Sequence, residues 1–349
     1  MFETTRFHPD TETAAQWAGY HAFRRARLAR LRPWEEAPPD NEVEERLRAP
    51  HPESVIEHYA IRDGDAVAAF FTLQVPDPAA PEFAGGGHIC RITGDVLAPW
   101  RRRGIGTEFL ATVQQFAHDH GATVVEANTK EDDGHAFLTH LGAERRSAQI
   151  QSRLRLDTVD HGLLREWRRD GESRSPGTSV QIFTHRIPPE HLEDIGVAYT
   201  QLINDVPFDA LEHGRIDMSA ERLRDWYAVL DRTSGSHDVC LLREPDGSIA
   251  ALCDIGYTGD EPSTVGQRFT GVRRDRRGRG YAKWVKAALI EHVRRSRPSA
   301  EWMSTENAES NVAMLGINRQ LGFTPDLTKA VYQMSRDDLA ARLKTTGMP

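Results

Sequence analysis

Residues 96–106 read VLAPWRRRGIG and residues 272–282 read VRRDRRGRGYA, two copies of one pattern about half a chain apart. Val96 falls on Val272, Arg101 on Arg277, Gly104 on Gly280 and Gly106 on Ala282. An internal repeat constrains a fold more than any local propensity, because both copies must build the same unit. The flanks agree. IRDGDAVAAF (61–70) and EPDGSIAALCDI (244–255) each set Asp-Gly between apolar runs, a hairpin signal. Each copy then continues through an amphipathic stretch, an apolar run and a helical stretch ending in Leu-Gly, at 141–142 and 321–322.

The element order is therefore the same in both halves. Leading helices are expected near 11–33, and near 188–203 with 219–231. Strands follow near 54–62, 66–75 and 88–97, and near 178–186, 238–243, 249–258 and 264–273. After the arginine-glycine turn comes a helix. Ile105, Phe109, Val113 and Phe116 form one apolar face of it in the first copy; Tyr281, Trp284, Val285, Ala288, Leu289 and Val293 do so in the second. A strand (123–128, 300–305), a helix (132–141, 309–321) and a last strand (143–155, 323–334) complete each copy. Two α/β lobes are expected, 1–157 and 178–349, joined by a polar linker at 158–177. Hairpins among the early strands make each sheet mixed and mostly antiparallel.

The 349 residues suit two domains, and 39% hydrophobic with 28% charged content excludes a wholly disordered chain. No apolar run reaches membrane-span length, and the N-terminus lacks a signal-peptide pattern. With three scattered cysteines, a cytoplasmic protein is expected. The net charge of −8 argues against nucleic acid, despite five arginines at 273, 274, 276, 277 and 279. His118, His120, His135 and His140 lack further ligands at metal-binding spacing, so no metal is expected.

The turn itself carries chemistry. Glycine lets backbone approach a ligand closely. Free N–H groups and the dipole at a helix start hold phosphate, and arginines add charge-assisted bonds. A Walker loop needs Gly-Lys-Ser/Thr, and a dinucleotide fingerprint needs a third glycine where Phe109 and Lys283 stand. Each half thus holds a candidate pyrophosphate cradle.

Arg101-Arg102-Arg103-Gly104-Ile105-Gly106 and Arg277-Gly278-Arg279-Gly280-Tyr281-Ala282 resemble the signature of the GNAT superfamily of acyl-CoA-dependent N-acyltransferases. TENAESNVAMLGINRQLGF (305–323) resembles that family's later motif. The doubled layout is similar to the tandem, mycothiol-synthase-like form. The resemblance implies a gap between two splayed strands that takes acetyl-CoA. Its cofactor contacts would come from Val272, Arg277, Gly278, Arg279, Gly280, Tyr281, Ala282, Lys283, Asn307 and Asn311. In the first copy they would come from Val96, Arg101, Arg102, Arg103, Gly104, Ile105, Gly106 and Thr107. Lys283 and Lys286 would reach phosphates from the following helix.

The implied reaction is direct attack of an amine on the thioester, which needs a deprotonated amine, an oxyanion donor and a proton for the thiolate. The family's usual base position holds Gln267, or Arg91 in the first lobe, and its usual acid position holds Asn318, or Leu138. Neither lobe has the standard pair. Gln267, Tyr332, Asp254 and Glu306 are the catalytic candidates, with Asp205 and Asp209 placed to hold a cationic acceptor. The second lobe keeps more of the pattern: Glu131 and Ala143 stand in the first where Asn311 and Phe323 stand in the second. The expectation is acetyl transfer to a small-molecule amine in the second lobe of a monomer. The loop at 76–87 would shape the cleft. The alternative is a catalytically inactive acyl-CoA-binding or regulatory protein.

Overall fold

The computed structural model describes residues 2–31, 36–49, 51, 53–78, 80, 83–206, 209–212, 214–232, 235–257 and 263–345. Part of the 76–87 loop therefore lies outside the described residues. The chain divides into two compact units. Unit 1 comprises Met1–Pro78, Gly86–Arg145 and Val331–Pro349; unit 2 comprises Ala79–Gly85 and Arg146–Ala330.

In chain order the elements are β1 (Glu3–Phe7), α1 (Ala14–Leu31), α2 (Asp40–Arg48), β2 (Ser54–Asp63), β3 (Ala66–Pro76), α3 (Phe83–Gly86), β4 (Ile89–Val96), α4 (Ile105–Asp119), β5 (Val124–Thr129), α5 (Asp132–Leu141) and β6 (Glu144–Arg155). The second copy follows with α6 (His161–Arg174), β7 (Ser179–Phe183), α7 (Leu192–Asn204), α8 (Ala220–Arg232), β8 (Ser236–Arg243), β9 (Ile249–Tyr257), β10 (Thr264–Val272), α9 (Tyr281–Ser296), β11 (Trp302–Ala308), α10 (Val312–Leu321), β12 (Thr324–Ser335) and α11 (Arg336–Thr345).

In unit 1, β1 to β4 pair antiparallel in sequence order, and β4 runs parallel to β5. In unit 2, β7 to β10 pair antiparallel, β10 runs parallel to β11, and β11 pairs antiparallel with β6. Both sheets are mixed and mostly antiparallel. The two Asp-Gly hairpins form, with Gly64 and Gly247 at positive φ.

Helices cover both faces of each sheet. The apolar stripe of α9 packs with Leu164 and Trp167 of α6 on one face of unit 2, while α7 and α8 bury Tyr199, Leu223 and Trp226 on the other. In unit 1, α4 packs with Leu339 and Leu343 of α11 on one face, and Trp17 and Phe23 of α1 lie on the other.

Five elements differ from the sequence reading. β1, α2 and α3 are additional, and α11 follows the last strand. Residues 161–174, in the expected linker, form α6. Its polar composition hid three buried positions, Leu164, Trp167 and Gly171. The terminal strands also divide between the units: most of β6 belongs to unit 2, and the end of β12 with α11 belongs to unit 1.

Gly171 is small because α6 lies tight on α9; an added Cβ would meet Trp284 at 2.5 Å. Trp284 is a fully buried ring with nowhere to move. Gly171→Val is expected to destabilise the protein by about 2–3 kcal/mol through overpacking, read as a fall in the urea midpoint at unchanged slope.

Candidate active site

Hydrogen bonding splits the middle of each sheet. Parallel pairing of β4 with β5 covers Ile89–Ile92 and stops, although β4 runs on to Val96. Pairing of β10 with β11 ends at Gln267 with Thr305, although β10 runs on to Val272. A bulge at Arg268 bends β10 at that point. Each unit therefore holds a wedge-shaped gap whose apex, in unit 2, is Gln267.

At the open end of each gap stands the repeated turn. Gly104 and Gly280 cap their helices at φ 86° and 84°, the left-handed region that glycine occupies without strain. Trp284 N is the first helical donor of α9, bonded to Gly280 O, so the N–H groups of Tyr281, Ala282 and Lys283 precede the helical ladder. Both copies share one lock that the sequence reading missed. Arg101 Nε donates to Val96 O at 2.9 Å and Arg277 Nε to Val272 O at 3.2 Å. The signature arginine thus fixes its own turn against the strand end.

The surroundings of the two turns differ in sign. In unit 1, Arg101 is bound by Asp95, Glu131 and Asp133 at 3.2, 2.8 and 3.0 Å, and Arg30 pairs with the first two of these. Glu108 sits in the first turn of α4, 3.7 Å from where a Gly104 Cβ would stand. In unit 2 the first turn of α9 carries no acid. Lys283 lies over the Trp167 ring at 4.9 Å, and a Gly278 Cβ would have open space. Arg277 also donates to Asp205 O, and Arg279 is exposed. A cavity of about 500 Å³, lined by Gln201, Asp205, Arg273, Arg274 and Asp275, opens beside this turn.

The five-arginine cluster is mostly committed inside unit 2. Arg273 and Arg276 grip Glu244 at 2.7 Å, which holds its carboxyl below the ordinary range against the opposing effect of burial. Arg274 pairs with Asp205 at 3.0 Å. Tyr281 is buried with its hydroxyl on Glu244, so only its backbone can meet a ligand. Ile105 is buried likewise, and Gly106 is small because Phe137 packs at 3.4 Å from its would-be Cβ. Thr107 N returns to Gly104 O. Arg102, at φ 63°, and Arg103 are exposed.

The catalytic candidates do not form one constellation. Gln267 is buried at the apex, donating to Thr270 Oγ1 at 3.1 Å and Cys253 Sγ at 3.2 Å, and accepting from Lys286 Nζ. Asp254 is fully buried on the α7–α8 side. Its Oδ2 accepts from Tyr199 Oη at 2.7 Å and from His237 Nε2 at 2.8 Å. Glu306 is half-exposed and ion-paired with Lys329 at 2.8 Å. Tyr332 belongs to unit 1, where its hydroxyl meets His135 Nδ1 at 3.0 Å. The other three belong to unit 2.

Two asparagines line the split beyond the apex. Asn318 Nδ2 donates to Asn307 Oδ1 at 2.8 Å, and Asn318 Oδ1 is buried with no hydrogen-bond partner. Asn311 caps α10 by accepting from Met314 N. Asp205 and Asp209 are engaged, the first by Arg274 and the second by Ser147 and Ser310. Lys286, expected to reach phosphate from the helix surface, is instead 1% exposed, because it stands on the apolar face of α9. His237 and Tyr199 were not read from the sequence; only their spacing among apolar residues marked them as buried.

Residues 19–142 match the model of the GNAT acetyltransferase family. Those residues are similar to a GNAT acetyltransferase domain. The chain's two-unit architecture is also that of tandem GNAT proteins. A tandem GNAT protein from the clavulanic acid biosynthesis pathway is similar over 96% of this chain and 99% of that one, at 21% identity and a TM-score of 0.67. A GCN5-related N-acetyltransferase from Sphaerobacter thermophilus is similar over 96% of both chains, at 14% identity and a TM-score of 0.65. No curated protein matches the sequence significantly. The family match falls in the first copy of the repeat, whereas the helix whose first turn carries no acid stands in the second. Among the described residues, no cluster of three or more histidines, cysteines or carboxylates is arranged to hold a metal. No described helix is long and apolar enough to cross a membrane.

Proposed function

We propose that this GNAT protein transfers an acetyl group from acetyl-CoA to the primary amine of a small molecule, with the chemistry in the lobe of residues 178–349. The observation that carries this reading is the contrast between the turns. Around Gly280 the first turn of α9 offers N–H donors and no acid, Arg279 is exposed, Lys283 is near and Gly278 has open space, while Asp205, Glu244 and Asp275 are each paired with an arginine. Around Gly104, Asp95, Glu108, Glu131 and Asp133 oppose an anion. The donor's pyrophosphate fits the N-terminus of α9. The edge of β10 past Gln267 has no partner from β11, so its backbone is open to an extended amide-bearing arm. The doubled layout supports a monomer, since one chain already supplies two lobes.

In this reading the chain's own residues bind, orient and shield. The α9 N-terminus anchors phosphate, the β10 edge aligns the arm, and Gln267 with its partners closes the apex. A neutral amine attacks directly. In this reading its proton goes to water, since the Gln267 amide is hydrogen-bonded on both sides and Asp254 is buried in the core. A second reading, a catalytically inactive acyl-CoA-binding protein, draws on the same fact.

Calorimetric titration with acetyl-CoA, followed by thiol release in a panel of small primary amines, tests both readings. Binding with amine-dependent thiol release supports transfer. Binding without release by any amine supports the inactive binder, and absence of binding rejects both.

A further inference from the structure

The reaction needs a proton for the departing thiolate, and Asn318 occupies the position from which a hydroxyl would give it. One buried ionisable group near the apex has no assigned task. Lys286 is 1% exposed on α9. Its Nζ donates to Gln267 Oε1, and it lies 5.4 Å from the Phe323 ring centroid. No carboxylate pairs with it among the described residues. An ammonium has three protons to donate, and an unpaired buried charge is costly. Such a group is retained where a negative charge arrives to meet it.

The geometry places that arrival. Five residues of β10, 268–272, separate the apex from the phosphate turn, a span of roughly 17 Å at strand rise. That is the reach of an extended pantetheine arm, which brings its sulfur to the apex when its phosphate sits at Gly280. Close by, Asn318 Oδ1 is buried without a partner, and Phe323 N bonds Asn318 O. Lys286 and Asn318 are thus two buried polar residues that each touch Phe323, the first at its ring and the second through its backbone carbonyl, with side-chain hydrogen-bonding capacity left over.

We propose that Lys286 stabilises the departing thiolate in this reaction, its ammonium donating a hydrogen bond to the sulfur. The proposal rests on the acyl-CoA reading above. The amine nitrogen forms the new bond to the carbonyl carbon, and the carbon–sulfur bond breaks with its electron pair on sulfur. The Lys286 ammonium meets that sulfur and keeps its own protons. The new amide nitrogen sheds one proton to water, and the thiolate takes one proton from water as it leaves. Amine and thioester become amide and thiol, with charge conserved.

The surroundings suit this role. Burial pushes the Lys286 ammonium down to about 8, so the group still carries its charge at neutral pH when the thiolate forms. Cys253 on β9 is the titratable group facing it, its own thiol pushed up to about 12 by burial. From β10 come neutral Gln267 and Thr270, and from the residue after Gly322 comes Phe323. On α6, Arg168 is turned to Glu291.

The test uses CoA itself and the ultraviolet absorbance of its thiolate. Bound to the wild-type protein, the CoA thiol is expected to ionise roughly one unit or more below free CoA, because an ammonium stands beside it. In Lys286→Met the bound thiol returns to or above the free value. Equal ionisation in the two proteins overturns the role of Lys286 and leaves the acyl-CoA reading intact. Failure of the wild type to bind CoA overturns both. If Lys286→Met does not fold, carbon-13 NMR of lysine Cε in the wild type decides. CoA is expected to raise the Lys286 titration midpoint and desulfo-CoA is not; an identical response to both rejects the proposal.

Discussion

Gly280→Glu is expected to abolish acetyl-CoA binding, whereas Gly104→Glu leaves it unchanged. The first substitution puts a carboxylate at the start of α9, where Tyr281, Ala282 and Lys283 present their N–H groups. That charge both repels phosphate and competes for the same donors. A loss of a hundredfold or more in affinity is expected, about 3 kcal/mol. Positive φ at Gly280 adds strain for any side chain with a Cβ, least for asparagine, so Gly280→Asn serves as the control. Asparagine tolerates that conformation without charge and should keep most of the binding. Gly104→Glu adds one more acid to a turn that already faces Glu108, Asp95, Glu131 and Asp133. Calorimetry with all four proteins reads the result. If Gly104→Glu removes binding and Gly280→Glu does not, the donor site belongs to unit 1, where the family model also matches.

The fold was legible because the repeat made each half a control for the other. The Asp-Gly hairpins, the glycine turns and the apolar faces of α4 and α9 appear as their spacing requires. What spacing does not encode is which neighbour a terminal strand chooses. β6 and β12 carry similar patterns, and nothing local distinguishes a partner in one copy from its equivalent in the other. Tyr332 was therefore read with Gln267 and stands with His135. Burial of charge is equally hidden. Lys286 looks like a solvated helix lysine until the strands that cover it are placed. The arginines at 273 and 276 read as free positive charge until Glu244, distant in sequence, is brought between them.

Asp254 tests how far a candidate catalytic residue is instead a structural one. The carboxylate is fully buried and accepts from Tyr199 and His237, and Arg268 Nε lies at 3.8 Å. His237 is itself fully buried and bonded through Nδ1 to Tyr227 Oη at 2.9 Å. Arg268 rests on the Trp226 ring at 4.6 Å. One oxygen thus organises strands β8, β9 and β10 with helices α7 and α8. Asp254→Ala leaves two buried donors without an acceptor and is expected to cost about 3–5 kcal/mol, read as a lower urea midpoint. Asp254→Asn keeps the shape and one acceptor oxygen, and should cost less than half as much. A structural role requires that acetyl transfer by Asp254→Asn, measured where it is still folded, stays within a few-fold of wild type. A loss of activity of a thousandfold at preserved stability would instead make the buried Asp254–His237 pair part of the proton path, with Tyr199 and Tyr227 as its hydrogen-bonded neighbours.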